Sequence, residues 1–190
     1  MQDANRRKLH RWGLVLLIVL TCVGCDQATK AVARETLVHA PPISLFNGIL
    51  HLEYAENLGA FLGMGARLPE QARFLLGVVF SGLLLAAAIG FTLRANYISI
   101  AQLVCLAFFV GGGISNLIDR IWNEGAVTDF MMFSAGPLHT GILNVADIAI
   151  TFGAAAFVLL NFFEQPQDTS KQKAETPQTD TDDAVNIPQE

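Results

Sequence analysis

Four long apolar stretches limit what this chain can become. Trp12–Val32, Phe74–Leu93, Ile98–Ile118 and Gly141–Phe163 each approach the roughly 20 residues a helix needs to cross hydrocarbon. The second and third carry no charge, the first only Asp26 and Lys30, and the fourth only Asp147. Lipid offers no partner to backbone N–H and C=O groups, so such segments cross as helices. At 52% hydrophobic residues and a mean hydropathy of +0.43, the chain is too apolar for an ordinary soluble domain. A membrane all-α fold is predicted, a four-helix transmembrane bundle forming one domain over residues 1–163.

Residues 164–190 differ in kind. Seven acids and two Lys there account for the whole formal charge of -5. The segment is rich in Gln, Thr, Asp and Pro, and is expected to be a disordered cytoplasmic tail. No basic face suggests nucleic acid. Arg6, Arg7, Lys8 and Arg11 precede the first span, and the positive-inside rule assigns them to the cytoplasm. Both termini are then cytoplasmic, with residues 34–73 and 119–138 outside. Arg34, Arg67 and Arg73 weaken this asymmetry, which rests mainly on the N-terminal cluster.

Cys22 and Cys25 form a CxxC without a second pair. Inside an apolar helix they read as buried packing residues rather than a redox or metal site. Gly24–Cys25 also resembles a lipoprotein cleavage site after a signal segment. Three further spans, and apolar periodicity continuing past Cys25, favour a retained helix.

The unexpected polar residues gather at the outer ends of the spans. Asp26 and Lys30 lie at i,i+4 on one helix face. Asn57 is in the outer segment, Asn116, Asp119 and Arg120 end the third span, and Asp129 lies in the outer loop. Asn144 and Asp147 open the fourth span, with Asp147 on the order of 10 Å into it. An acid in hydrocarbon costs at least roughly 2.5–3.5 kcal/mol, so Asp147 reads as functional by default. Bland alternatives exist for each. Asp26–Lys30 can be a helix-end ion pair, Asp119–Arg120 a membrane boundary with Arg120 snorkelling, Asn116 and Asn144 interhelical hydrogen bonds, and Asn57 with Gly59 the shaping of a turn. Asp147 can be a structural partner of Arg120 or Lys30. The alternating segment between Pro41 and Gly65 suggests a short outer sheet, and Gly111–Gly113 a close helix approach.

DQATK (Asp26–Lys30), NLGAF (Asn57–Phe61), GGGISNLIDR (Gly111–Arg120), VTDF (Val127–Phe130) and NVAD (Asn144–Asp147) resemble, in order, the motif boxes of lipoprotein signal peptidase, the type II signal peptidase. The resemblance covers about Asp26 to Thr151. It implies a bacterial inner-membrane aspartic endopeptidase with a small periplasmic sheet and short outer helix. It implies cleavage before the lipidated Cys of diacylglyceryl-modified prolipoproteins. Asp129 and Asp147 match the catalytic pair. Asp26, Lys30, Asn57, Asn116, Arg120 and Asn144 match the polar residues around it. Asp119, Gly59, Gly112 and Ala146 match structural motif positions. Ser115 stands where the family usually has Gly, and Leu143 where it usually has Phe.

Such a mechanism calls for no metal or other cofactor. The expected partners are lipidated precursors and membrane lipid, with the chain a monomer and its site facing the periplasm. Two other readings compete: a proton-coupled transporter or channel, and a non-catalytic lipoprotein-binding membrane protein.

Overall fold

The structure is a computed structural model that describes residues 2–59, 68–95 and 97–163. Positions 60–61 of the NLGAF box and the tail 164–190 lie outside the described residues. Four helices are long and apolar enough to cross a membrane: Lys8–Leu37, Glu70–Arg94, Ile100–Trp122 and Val145–Phe163.

Helix α1 runs unbroken from Gln2 to Leu37, straight through Cys25. The second span joins α2 (Glu70–Phe74), a π-wound turn at Leu75–Phe80 and α3 (Ser81–Arg94). The third span, α4 (Ile100–Trp122), begins with a reciprocal cap. Ser99 Oγ accepts from the Gln102 N–H, and the Gln102 side chain accepts from the Ser99 N–H, satisfying two amides left without helical partners. The fourth, α5, spans Val145–Phe163.

α4 is the hub, packing on α1, α3 and α5. Three consecutive glycines make this possible, because successive helix positions face directions 100° apart. A Cβ on Gly111 would meet Cys22 of α1, on Gly112 the Ala146 carbonyl of α5, and on Gly113 the Leu85 side chain of α3. Gly153 of α5 returns the contact against the Cys105 carbonyl. Elsewhere the spans turn apolar side chains outward, among them Leu16, Leu20, Leu83, Phe152 and Leu159. Cys22 packs as expected, but Cys25 is exposed, since it turns from α4 to the outer surface of α1.

At the end of the bundle away from the N-terminal basic cluster lies an antiparallel sheet, ordered β1 (Ile43–Leu45), β2 (Leu50–Asn57), β3 (Val127–Ala135) and β4 (Leu138–His139). A single tight turn at Phe46–Gly48 is the short helical element of this layer among the described residues. Asp129 therefore sits on a strand, opposite Ala55, and not in a loop. The run VTDFMMF, rich in β-branched and aromatic side chains, has the composition of a strand. The bundle end of β3 is buried on both faces from Val127 to Met131, and its far end is exposed.

Candidate active site

The first turn of α5 is built by its own motif. Asn144 is the residue before the helix, and its Oδ1 accepts the Asp147 N–H at 2.9 Å. Asp147 Oδ2 in turn accepts the Asn144 N–H at 3.2 Å. NVAD is thus a capping box, with an acid three residues after the cap. The helix begins at Val145 rather than Gly141, so Asp147 lies in its first turn and not deep within the span.

Asn144 also reaches sideways. Its Nδ2 donates to Asp129 Oδ1 at 2.7 Å and to the Asn116 side-chain oxygen at 3.2 Å. Asn57, diagonal to Asp129 across the β2–β3 pair, donates to Asp129 Oδ2 at 3.0 Å. Asn116 donates to Asp147 Oδ1 at 2.9 Å. Two acids eighteen residues apart therefore share one amide neighbour, Asn144, and each has a second of its own.

Neither acid has a cation within ion-pair distance among the described residues. The basic groups are engaged elsewhere. Lys30, fully buried, places Nζ 2.6 Å from Asp26, 3.1 Å from Asp119 and 2.9 Å from the Asn116 oxygen. Three ammonium hydrogens meet three acceptors. Arg34 binds Asp119 at 3.3 Å and Thr128 Oγ1 at 3.0 Å. Asp119 is buried inside this frame, paired with Lys30 and Arg34. Asp147 pairs with neither Lys30 nor Arg120, so the structural pairing weighed from sequence does not form.

The frame holds the backbone beside each acid of the pair. Asp119 Oδ2 accepts the Thr128 N–H at 3.0 Å, one residue before Asp129. Asp26 Oδ1 accepts the Ala146 N–H at 2.8 Å, one residue before Asp147. Gln27 and Ser115 complete it, with Gln27 Nε2 donating to Ser115 Oγ and Asp119 Oδ1 and Ser115 Oγ to Asp26 Oδ2. Gln27, Arg34 and Thr128 were not among the residues singled out from sequence. The spacing of Asp26, Lys30 and Arg34 at i, i+4 and i+8 places Arg34 on the same helix face.

Burial first, and then the charge of Asp147, push the Asp129 carboxyl up to about 6, against the hydrogen bonds from Asn57 and Asn144. Both acids line a cavity of about 540 Å³. Its polar wall holds Asn57, Asn116, Arg120 and the two acids, and its apolar wall Leu76, Phe80, Leu84, Leu85, Phe109 and Ile150. That apolar wall comes from α3, the π turn, α4 and α5. Arg120 also lines the cavity, donating to the Gly59 carbonyl at 3.3 Å and the Asn116 carbonyl at 3.4 Å, with its Nε buried and without a partner among the described residues. Gly59 is shaped for this by its N–H donating to Asn57 Oδ1.

A family profile described as "Signal peptidase (SPase) II" matches residues 18–163. A lipoprotein signal peptidase of Desulforapulum autotrophicum is 33% identical over 86% of this chain and 99% of its own. One from Maridesulfovibrio salexigens is 35% identical over 80% and 96%. Two bacterial membrane enzymes solved by the in meso method, at 2.3 Å and 1.9 Å, superpose with TM-scores of 0.69 and 0.68 at 23% identity. They cover 87% and 80% of this chain, and 94% and 95% of their own. These two establish likeness of fold.

Proposed function

The chain belongs to the signal peptidase II family, and from that premise we propose that Asp129 and Asp147 are the catalytic pair of an aspartic endopeptidase. As a member of a lipoprotein signal peptidase family, it is a membrane-embedded hydrolase that removes signal peptides from prolipoproteins. The observation that carries the aspartic mechanism is the sorting of charges: the buried cations go to Asp26 and Asp119, and only amides go to the pair.

Two close carboxylates in a shared site cannot both ionise, so the pair holds one proton between them. With Lys30 and Arg34 balancing Asp26 and Asp119, a singly protonated pair carries one negative charge opposite Arg120, and the site sums to neutral. The ionised member takes a proton from water, which attacks the scissile carbonyl. The protonated member polarises that carbonyl and then protonates the leaving amide. Asn57, Asn116 and Asn144 hold the carboxylates with amides that do not titrate. Arg120, whose side chain lines the cavity, binds substrate backbone.

The cavity's apolar wall fits a substrate carrying a diacylglyceryl group, since each buried CH₂ contributes about 0.8 kcal/mol. The site then faces the periplasm of the inner membrane, with both termini cytoplasmic and the chain acting as a monomer. A proton path to the other side lacks support. The groove toward the opposite end is walled by Trp12, Val15, Leu16, Val19, Ile89 and Leu93, with Thr92 its only hydroxyl.

The test is cleavage of a purified precursor in micelles, lipidated and unlipidated, by wild type, D129N and D147N. Wild type cuts the lipidated peptide before its modified Cys, and either Asn variant loses activity by at least about a thousandfold, the scale of losing a catalytic group. A correctly folded Asn variant that still cleaves would overturn the assignment.

A further inference from the structure

Taking Asp129 and Asp147 as the catalytic pair, we propose that Ser115, oriented by Gln27, is a positioning residue that sets Asp147 through Asp26. Ser115 is fully buried in α4. Its hydroxyl hydrogen goes to Asp26 Oδ2 at 2.8 Å, and its oxygen accepts from Gln27 Nε2 at 3.0 Å. A hydroxyl has one hydrogen, so the bond from Gln27 directs that hydrogen to Asp26. Every partner of Gln27 Nε2 is an acceptor, namely Ser115 Oγ, the Ser115 carbonyl and Asp119 Oδ1, which fixes the direction of the chain of bonds.

The consequence lies one residue further on. Asp26 is held at Oδ2 by Ser115 and Lys30, and its other oxygen takes the Ala146 N–H beside Asp147. Without the hydroxyl, only Lys30 restrains Oδ2, and Lys30 is shared with Asp119 and Asn116. The carboxylate can then turn, and the first turn of α5 loses its tether. Misplacement by about 1 Å is enough to lower a rate by about a hundredfold.

Alanine and glycine at this position separate positioning from helix stability. S115A fills the space with a methyl that cannot donate. S115G leaves room beside Asp26 and Gln27 for a water, which has the polar partners it needs. The full chain in micelles is assayed on the lipidated precursor for kcat, KM and Tm, beside wild type and D147N. The expected result is a kcat about tenfold to a hundredfold lower in S115A with KM unchanged, while S115G keeps most of its kcat despite the lower Tm that glycine brings to a helix. Unchanged kcat in S115A, or kcat that simply follows Tm with S115G the worse, would overturn the proposal. Should S115A fail to fold, Q27L supplies the second arm: a fall in kcat at constant KM supports the proposal, and a wild-type kcat rejects it. Cleavage by D147N removes the catalytic pair itself, whereas an inert D147N beside a fully active S115A removes only this inference.

Discussion

Asn144 donates its side-chain hydrogen to Asp129 across 2.7 Å, and so joins the start of α5 to the buried end of β3. The same side chain caps α5 through its oxygen. One residue therefore does two separable jobs, closing a helix and holding a carboxylate from another element. N144A is expected to lose about 1 kcal/mol of stability from the missing cap. It should also lose about a hundredfold or more in activity from the missing donor and the displaced acid. N144S keeps the cap and loses the reach, so its Tm should recover while its activity does not. Thermal unfolding alongside precursor cleavage checks both.

The raised carboxyl of Asp129 has a stability consequence of definite sign. Between the ordinary carboxylate range and about 6, the folded protein binds more protons than the unfolded chain, so stability falls as pH rises through that window. Above it, the penalty reaches on the order of 3 kcal/mol at 1.36 kcal/mol per pKa unit. D129N removes the charge and is expected to be inactive yet more thermostable than wild type at pH 7–8. The gain should vanish near pH 4. A Tm difference that does not change with pH would contradict this.

Lys30 is fully buried with all three hydrogens placed, on Asp26, Asp119 and Asn116. K30M leaves buried Asp26 without a cation and Asp119 with Arg34 alone, a loss of about 3–5 kcal/mol when one partner of a buried pair is removed. The variant should be recovered in low yield with a much lower Tm. Adding D119N should restore part of that loss, and a purely additive double variant would show that the pair is not coupled.

Two neighbouring glycines should answer differently to the same change. A Cβ on Gly112 would stand 2.5 Å from the Ala146 carbonyl, rigid backbone next to Asp147, whereas one on Gly113 meets the tip of Leu85 at 3.0 Å. G112A is expected to push α5 away and abolish most activity. G113A should cost no more than about 1–3 kcal/mol of overpacking and keep most turnover. Side-by-side assays of the two purified variants decide it.

Much of this site was legible from residue type and spacing. Hydropathy located the four spans because lipid forces backbone groups to pair internally, and the rarity of buried acids drew attention to Asp147. The alternation of Ile43–Asn57 announced the sheet. VTDF taken alone suggests a loop position for Asp129, whereas with Met131–Phe133 it forms one continuous strand. Hydropathy starts the fourth span four residues before α5 begins, because it is blind to capping. NVAD stops the helix at Asn144 through hydrogen bonds, not polarity. Gln27 and Arg34 look like ordinary polar residues in the sequence, and become part of the site only where α4 and β3 bring Asp119 and Thr128 to them. Ser115, standing where the family usually has Gly, donates its hydroxyl hydrogen to Asp26, a partner that only the three-dimensional fold brings to it by packing α1 on α4.

The tether from Asp26 to the Ala146 N–H spans 120 residues of chain and ties the first membrane crossing to the fourth. A polypeptide made only as far as β3 holds Asp129 without Asp147, its proposed partner, while the last span has still to be threaded into the bilayer. On the proposed assignment, the pair is complete only once α5 has been made and docked against α1.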